Sequence, residues 1–239
     1  MFTSSVDSDW FPTCAVFDCD GVLLDSETVW GDIQNEFFEK YGVTPSAEDR
    51  AQLVGSAASD LAETIVRLSD TSAQSEEETK KFRKEVLADV QETEMNIVDR
   101  GIEAIPGALD VIKKLASAMP VAVASNSSSK LLTKKLEKFG HAEVLTTWVG
   151  ANDVENPKPA PDMYSEAIRR LGGTPERTFT VEDSAAGAKA ARTAGSNTFI
   201  FCQDPADAPE GKGYFSSFTD PEFLTQIDRW VEKAQEHQG

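Results

Sequence analysis

The sequence predicts an α/β protein: a parallel sheet with helices on both faces, and an all-helical unit inserted after the first strand. Three observations lead there. From Pro106 onward, short apolar runs alternate one for one with helical patterns. From about Glu27 to Arg100 the helical period recurs with no clear strand pattern. A single apolar run, CAVFDCD, precedes that block, bounded by Pro12 and Gly21. Strands separated by one helix each imply parallel pairing, and parallel strands covered on both faces read as continuous apolar runs.

Each element has its own signal. Val29, Ile33, Phe37 and Tyr41 repeat every four residues and stop at Gly42, the mark of an amphipathic helix with a glycine end. Leu61, Ile65 and Leu68, then Phe82, Val86 and Val90, continue the helical period. Beyond Pro106, PGALDVIKKLAS reads as a helix, PVAVASN as a buried strand and SSKLLTKKLEKFG as a helix closed by Gly140. EVLTTWVG reads as a strand, PDMYSEAIRRLGG as a helix, RTFTVED as a strand, SAAGAKAARTAG as a helix and SNTFIFC as a strand. A last helix is expected over Pro221–Glu236. The QDPADAPEGKG loop after Cys202 is expected to be mobile, and no function is read from it. The division expected is a core of residues 1–26 and 101–239 with a helical insertion over 27–100.

Composition narrows the function. Lys plus Arg number 23 against 41 acidic residues, a formal charge of -18. Nucleic acid and anionic membranes need clustered positive charge, so neither is an expected partner. No stretch approaches the roughly 18 apolar residues of a membrane span. The N-terminus carries two aspartates, no basic residue and no long apolar run, unlike a secretory signal. Cys14, Cys19 and Cys202 are odd in number and far apart, as free thiols in a reducing compartment are; a cytoplasmic monomer is expected. Two histidines, His141 and His237, leave little room for His-based catalysis or zinc.

In parallel sheets the chemistry collects where strands end, so the loops after Phe17, Ala124, Val149 and Val181 are expected to converge. The first carries Asp18 and Asp20, two carboxylates at i and i+2, with Gly21 allowing a tight turn. Such a pair suits one ionised nucleophile and one general acid and base; a calcium loop or an ordinary turn is the plain alternative. The second carries Ser125 and Asn126 ahead of a helix N-terminus, an anion site or simply an N-cap. The third is Lys158 in NPKPAP, a point charge suited to phosphate or an ordinary surface lysine. The fourth is Glu182-Asp183, two acids ending a buried strand, which ask for a metal or else cap the next helix. Together these are oxygen ligands for a hard divalent cation, with positive groups for a phosphate that magnesium would bridge. No G-x-x-x-x-G-K-[ST] motif occurs.

VFDCDGVLLDSE, PVAVASNSS, KPAPDMYSEAIRRLG and VEDSAAGAKAARTAG, in this order, resemble the haloacid dehalogenase superfamily, in its branch of small phosphatases and β-phosphoglucomutase. The resemblance spans about Cys14 to Ile200. It implies a Rossmann-like core with a helical cap, Asp18 as the nucleophile that becomes an aspartyl-phosphate, and Asp20 as acid then base. It further implies Ser125 and Lys158 as a phosphate clamp with Asn126 beside them. Magnesium would be held by Asp18, the backbone carbonyl of Asp20 and Asp183, with Glu182 near or at the ion. The substrate would be a small phosphorylated metabolite of the sugar phosphate, polyol phosphate or phosphoglycolate kind. Asp20 favours phosphoryl chemistry, because dehalogenases of the superfamily need no acid there.

Two departures separate the chain from the mutase. Trp30 stands where the mutase has a histidine, and the Gly55 to Ser59 segment lacks the arginine that grips a distal phosphate. Hydrolysis is therefore expected over a phosphosugar mutase, the alternative; a non-catalytic metabolite-binding relative fits less well, since Asp18, Asp20, Lys158 and Asp183 are all present. Trp30, Gly55, Ser56 and Ser59 are the candidates for substrate specificity.

Overall fold

The structure, a computed structural model, describes residues 2–53, 56–72 and 75–237. It begins with strands β1 (Thr3–Ser4), β2 (Cys14–Phe17) and β3 (Leu24–Asp25). Helices α1 (Glu27–Lys40), α2 (Ala47–Gln52), α3 (Ala58–Leu68) and α4 (Glu76–Glu94) follow, then β4 (Glu103–Ala104) and α5 (Ala108–Ala116). The rest alternates through β5 (Val121–Ser125), α6 (Ser129–Lys138), β6 (Thr147–Gly150), α7 (Asp162–Leu171), β7 (Thr178–Glu182), α8 (Ala185–Thr193) and β8 (Asn197–Phe201). It closes with β9 (Gly213–Phe215) and α9 (Pro221–Glu236). The chain divides into two compact units, residues 1–25 with 104–239, and residues 26–103.

In the first unit the sheet order is β1-β9-β8-β7-β2-β5-β6. β2 lies between β5 and β7 and is parallel to both, with Val16 opposite Ala122 on one side and Thr180 on the other. Every residue of β2, β5 and β7 is buried, as in parallel strands covered by helices on both faces. On one face Val16, Ala122 and Ala124 pack with Met163, Tyr164 and Ala167 of α7 and with Ala190 and Ala191 of α8. Small alanines let these helices approach the sheet closely. Elsewhere in the unit the core is aromatic: Phe179 lies 5.0 Å from Trp230, and Phe215 stacks on Phe223 at 4.1 Å.

Three segments depart from the periodicity. Thr3–Ser4 form an edge strand antiparallel to β9, inside a tail that carries no strand signal. Residues 213–215 of the stretch after Cys202 pair in parallel with β8, Ile200 opposite Tyr214. The strand expected over 143–150 starts at Thr147, because residues 142–144 turn and Val144 N–H donates to the His141 carbonyl.

The second unit is helical, as the unbroken helical period requires. Ser46 with Asp49, and Ser75 with Glu78, cap α2 and α4 reciprocally, satisfying backbone donors that a helix start leaves open. The ends of α1 and α4 are tied where Lys40 Nζ and Tyr41 OH both donate to Asp89, at 2.6 and 2.7 Å. No helix of the described residues is long and apolar enough to cross a membrane.

His141, just past α6, is 1% exposed and neither ring nitrogen has a hydrogen-bond partner. Burial first, and Lys113 second, push its imidazole down from 6.5 to about 4. A histidine lowered on folding gives stability that is complete above its unfolded value and is lost as pH falls toward the folded one. Between pH 7.5 and 5 this residue costs about 2 kcal/mol. Urea midpoints of the wild type and His141→Leu at the two pH values measure it: the variant should lose less stability on acidification by that amount.

Candidate active site

Asp18 follows β2 at the centre of the sheet and is 6% exposed. Its Oδ1 accepts from Lys158 Nζ at 2.6 Å, and the same ammonium donates to Glu182 Oε1 at 2.6 Å. Lys158 is no surface lysine: its side chain is 2% exposed. Burial alone would lower its ammonium, but Asp18 and Glu182 more than offset this and hold it above the usual lysine range. Asn126 secures the lysine's backbone, accepting from Lys158 N at 3.1 Å and donating to its carbonyl at 3.4 Å.

Glu182 ends β7 and is fully buried. Tyr164 OH also donates to Oε1, while Oε2 accepts from Asp183 N at 3.2 Å and Ser184 Oγ at 3.2 Å. Both oxygens are thus engaged by the protein. The cap of α8 is Ser184, whose hydroxyl accepts from Gly187 N at 3.0 Å, so Asp183 is not spent on capping. Likewise Ser128 caps α6, which leaves Ser125, Asn126 and Ser127 for the site.

Asp18, Glu182 and Asp183 each offer a carboxylate oxygen, all within 4.8 Å of one another. Burial pushes the Asp18 carboxyl up to about 8; Lys158 opposes this, while Glu182 and Asp20 add to it. Three carboxylates gathered this way suit a hard divalent cation, which acts in the same direction as Lys158. Two glycines make the room. Gly21 has φ +80°, and a Cβ there would lie 1.9 Å from Asp183 Oδ2. A Cβ on Gly187 would lie 1.8 Å from Glu182 Oε1. Gly187→Ala must therefore displace the Glu182 carboxylate, at a cost of about 1–3 kcal/mol. A lowered urea midpoint is the expected outcome; an unchanged one would contradict this role of the glycine.

Asp20, two residues on, faces different partners. Its Oδ2 accepts from Ser125 Oγ at 3.0 Å and Ser127 Oγ at 3.1 Å, and its Oδ1 from Lys135 Nζ at 2.5 Å. The first unit therefore brings together Asp18, Asp20, Ser125, Asn126, Lys158, Glu182 and Asp183. The specificity candidates belong to the other unit. Trp30 is buried, Ser56 is half-buried with its hydroxyl on the Leu53 carbonyl at 3.0 Å, and Ser59 is exposed; Gly55 lies outside the described residues.

Sequence reasoning passed over Ser127, Lys135 and Tyr164. Ser127 reads as part of a serine run. Tyr164 sits on the buried face of α7 and reads as core. Lys135 did carry a signal: it falls on the apolar stripe of α6 with Leu131, Leu132 and Leu136, all buried.

Residues 15–201 match the family described as haloacid dehalogenase-like hydrolase. A bifunctional riboflavin kinase/FMN phosphatase of Arabidopsis thaliana is 31% identical over 186 residues, 77% of this chain and 47% of that one. The chain thus spans about half of that relative. A fructose-1-phosphate phosphatase of Escherichia coli is 29% identical over 184 residues, 75% of this chain and 91% of that one. In fold, the chain resembles CbbY of Rhodobacter sphaeroides, solved in complex with phosphate, with a TM-score of 0.66, 23% identity, and coverage of 91% and 99%. The chain belongs to the haloacid dehalogenase-like hydrolases.

Proposed function

We propose that the enzyme is a magnesium-dependent phosphatase of small phosphorylated metabolites that passes the phosphoryl group through Asp18. The observation that carries this reading is the division of labour between two neighbouring aspartates. Asp18 lies against Lys158 among the clustered acids, while Asp20 is held apart by two hydroxyls and a second lysine. Environments that differ so much separate the roles of two carboxylates.

In the proposed sequence an oxygen of Asp18 attacks phosphorus and the ester P–O bond breaks. The leaving oxygen takes its proton from Asp20. Water then attacks the aspartyl-phosphate and gives its proton back to Asp20, releasing phosphate and restoring Asp18. Lys158 orients Asp18 and meets the negative charge of the phosphoryl oxygens, with Ser125 as a hydroxyl donor beside them. Magnesium, held by Asp18, Asp183 and the Asp20 backbone carbonyl with Glu182 behind them, would neutralise phosphoryl charge as a Lewis acid. Glu182, with both oxygens taken by protein donors, serves to hold Lys158 and the turn after β7 in place.

The test is phosphate release from sugar phosphates, polyol phosphates and phosphoglycolate with magnesium. Release from one or a few of them, falling to background with EDTA and returning with magnesium, is expected. Activity indifferent to EDTA contradicts the metal. Interconversion of sugar phosphates without free phosphate would make the chain a mutase, against which its Trp30 and the lack of an arginine over residues 55–59 speak.

A further inference from the structure

The lysine beside Asp20 is an unusual choice for its place in the fold. Lys135 lies on the buried stripe of α6, between Leu131 and Leu132 on one side and Leu136 on the other, where an aliphatic residue would continue the core. Its side chain is 3% exposed. A buried ammonium is costly unless charged and polar partners meet it. Here Nζ donates to Asp20 Oδ1 at 2.5 Å and to Ser127 Oγ at 2.9 Å. Ser127 Oγ in turn donates to Asp20 Oδ2 at 3.1 Å, and Ser125, which accepts from Ser127 N at 3.0 Å, donates to the same oxygen at 3.0 Å. Each hydroxyl donates once and accepts once, so the hydrogen-bond directions are consistent.

We propose that Lys135 is a positioning residue that clamps Oδ1 of Asp20 and, through Ser127, fixes the orientation in which Asp20 meets the leaving oxygen of the ester. The proposal rests on the phosphatase reading above. With Oδ1 turned to the ammonium, Oδ2 is the oxygen that moves the proton once Ser125 Oγ has turned its hydrogen from Oδ2 to the phosphoryl oxygens. It gives the proton to the leaving oxygen as the Asp18–phosphorus bond forms and the ester P–O bond breaks, and regains it from the attacking water. A structural lysine would add packing and nothing to this step.

Two esters of similar shape separate the possibilities. p-Nitrophenolate leaves without a proton, whereas phenolate from phenyl phosphate needs one, and kcat/KM reports the transfer to Asp18. Lys135→Met should lower kcat/KM for phenyl phosphate by about 100-fold, but for p-nitrophenyl phosphate by about 10-fold or less. In an Asp20→Asn background the same substitution should cost less than about threefold, because the two residues act as one unit. Lys135→Arg should recover most of the phenyl phosphate activity. Equal losses on both esters, repeated in full in the Asp20→Asn background, would overturn the proposal. Should Lys135→Met fail to fold, Ser127→Ala, which removes one hydroxyl of the clamp, is judged by the same cycle. Wild-type enzyme that releases phosphate with magnesium neither from these esters nor from the sugar phosphates, polyol phosphates and phosphoglycolate above would instead sink the phosphatase reading itself.

Discussion

Asp18→Asn will remove phosphate release by about 10⁴-fold or more, the scale on which losing a nucleophile is felt. It will do so without unfolding the protein. Lys158 keeps Glu182 at 2.6 Å when Asp18 loses its charge, so the buried ammonium is not stranded. The substitution also relieves repulsion among Asp18, Glu182 and Asp183, whose oxygens lie within 4.8 Å of one another. Its thermal midpoint without magnesium is therefore expected at or above the wild type's, and the stabilisation that magnesium brings should shrink. Thermal melts with and without magnesium, beside phosphate release, check both halves. A variant that is inactive because it is unfolded would contradict this account of the cluster.

Lys158→Met is expected to behave in the opposite way. It removes the positive partner of two buried carboxylates, and breaking a buried pair from one side costs about 3–5 kcal/mol. Loss of one donor to the phosphoryl oxygens also lowers kcat/KM by about 10² to 10³. Urea melts at neutral pH should show the destabilisation, and added magnesium should recover part of it by supplying positive charge to the same cluster of carboxylates. Stability equal to the wild type's would mean that the ion pairs at 2.6 Å to Asp18 and Glu182 contribute little. The two variants thus separate catalysis from stability: one inactivates while sparing the fold, the other weakens both.

Much of the site could be read from the sequence because strand ends in a parallel sheet converge. Once CAVFDCD, PVAVASN and RTFTVED are taken as neighbouring strands, Asp18, Ser125 and Glu182 must lie at one edge, and β5-β2-β7 is indeed the observed order. The competing explanations were local and were decided by burial and capping. Lys158 could have been a solvated lysine but is buried. Asp183 could have capped α8, but Ser184 does so.

What stayed hidden depends on distant pairing. Thr3 and Ser4 are exposed and too few to show a period of two; they become a strand because β9 lies beside them. Lys135 is 115 residues from Asp20 in sequence, and the lysine pair it belongs to looks like a solvated helix face. The apolar stripe of α6 marks Lys135 as an inward lysine, but its partner becomes visible when the helix is placed against the sheet.

The central claim, that Asp18 takes the phosphoryl group, is tested most directly by trapping it. Enzyme turning over an active phosphate ester is quenched and treated with borohydride, which reduces an aspartyl-phosphate to homoserine, and the peptides are mapped by mass. Homoserine at position 18, present with substrate and absent without it, is the predicted result. An unmodified Asp18 during turnover, or homoserine at another aspartate, would contradict the account.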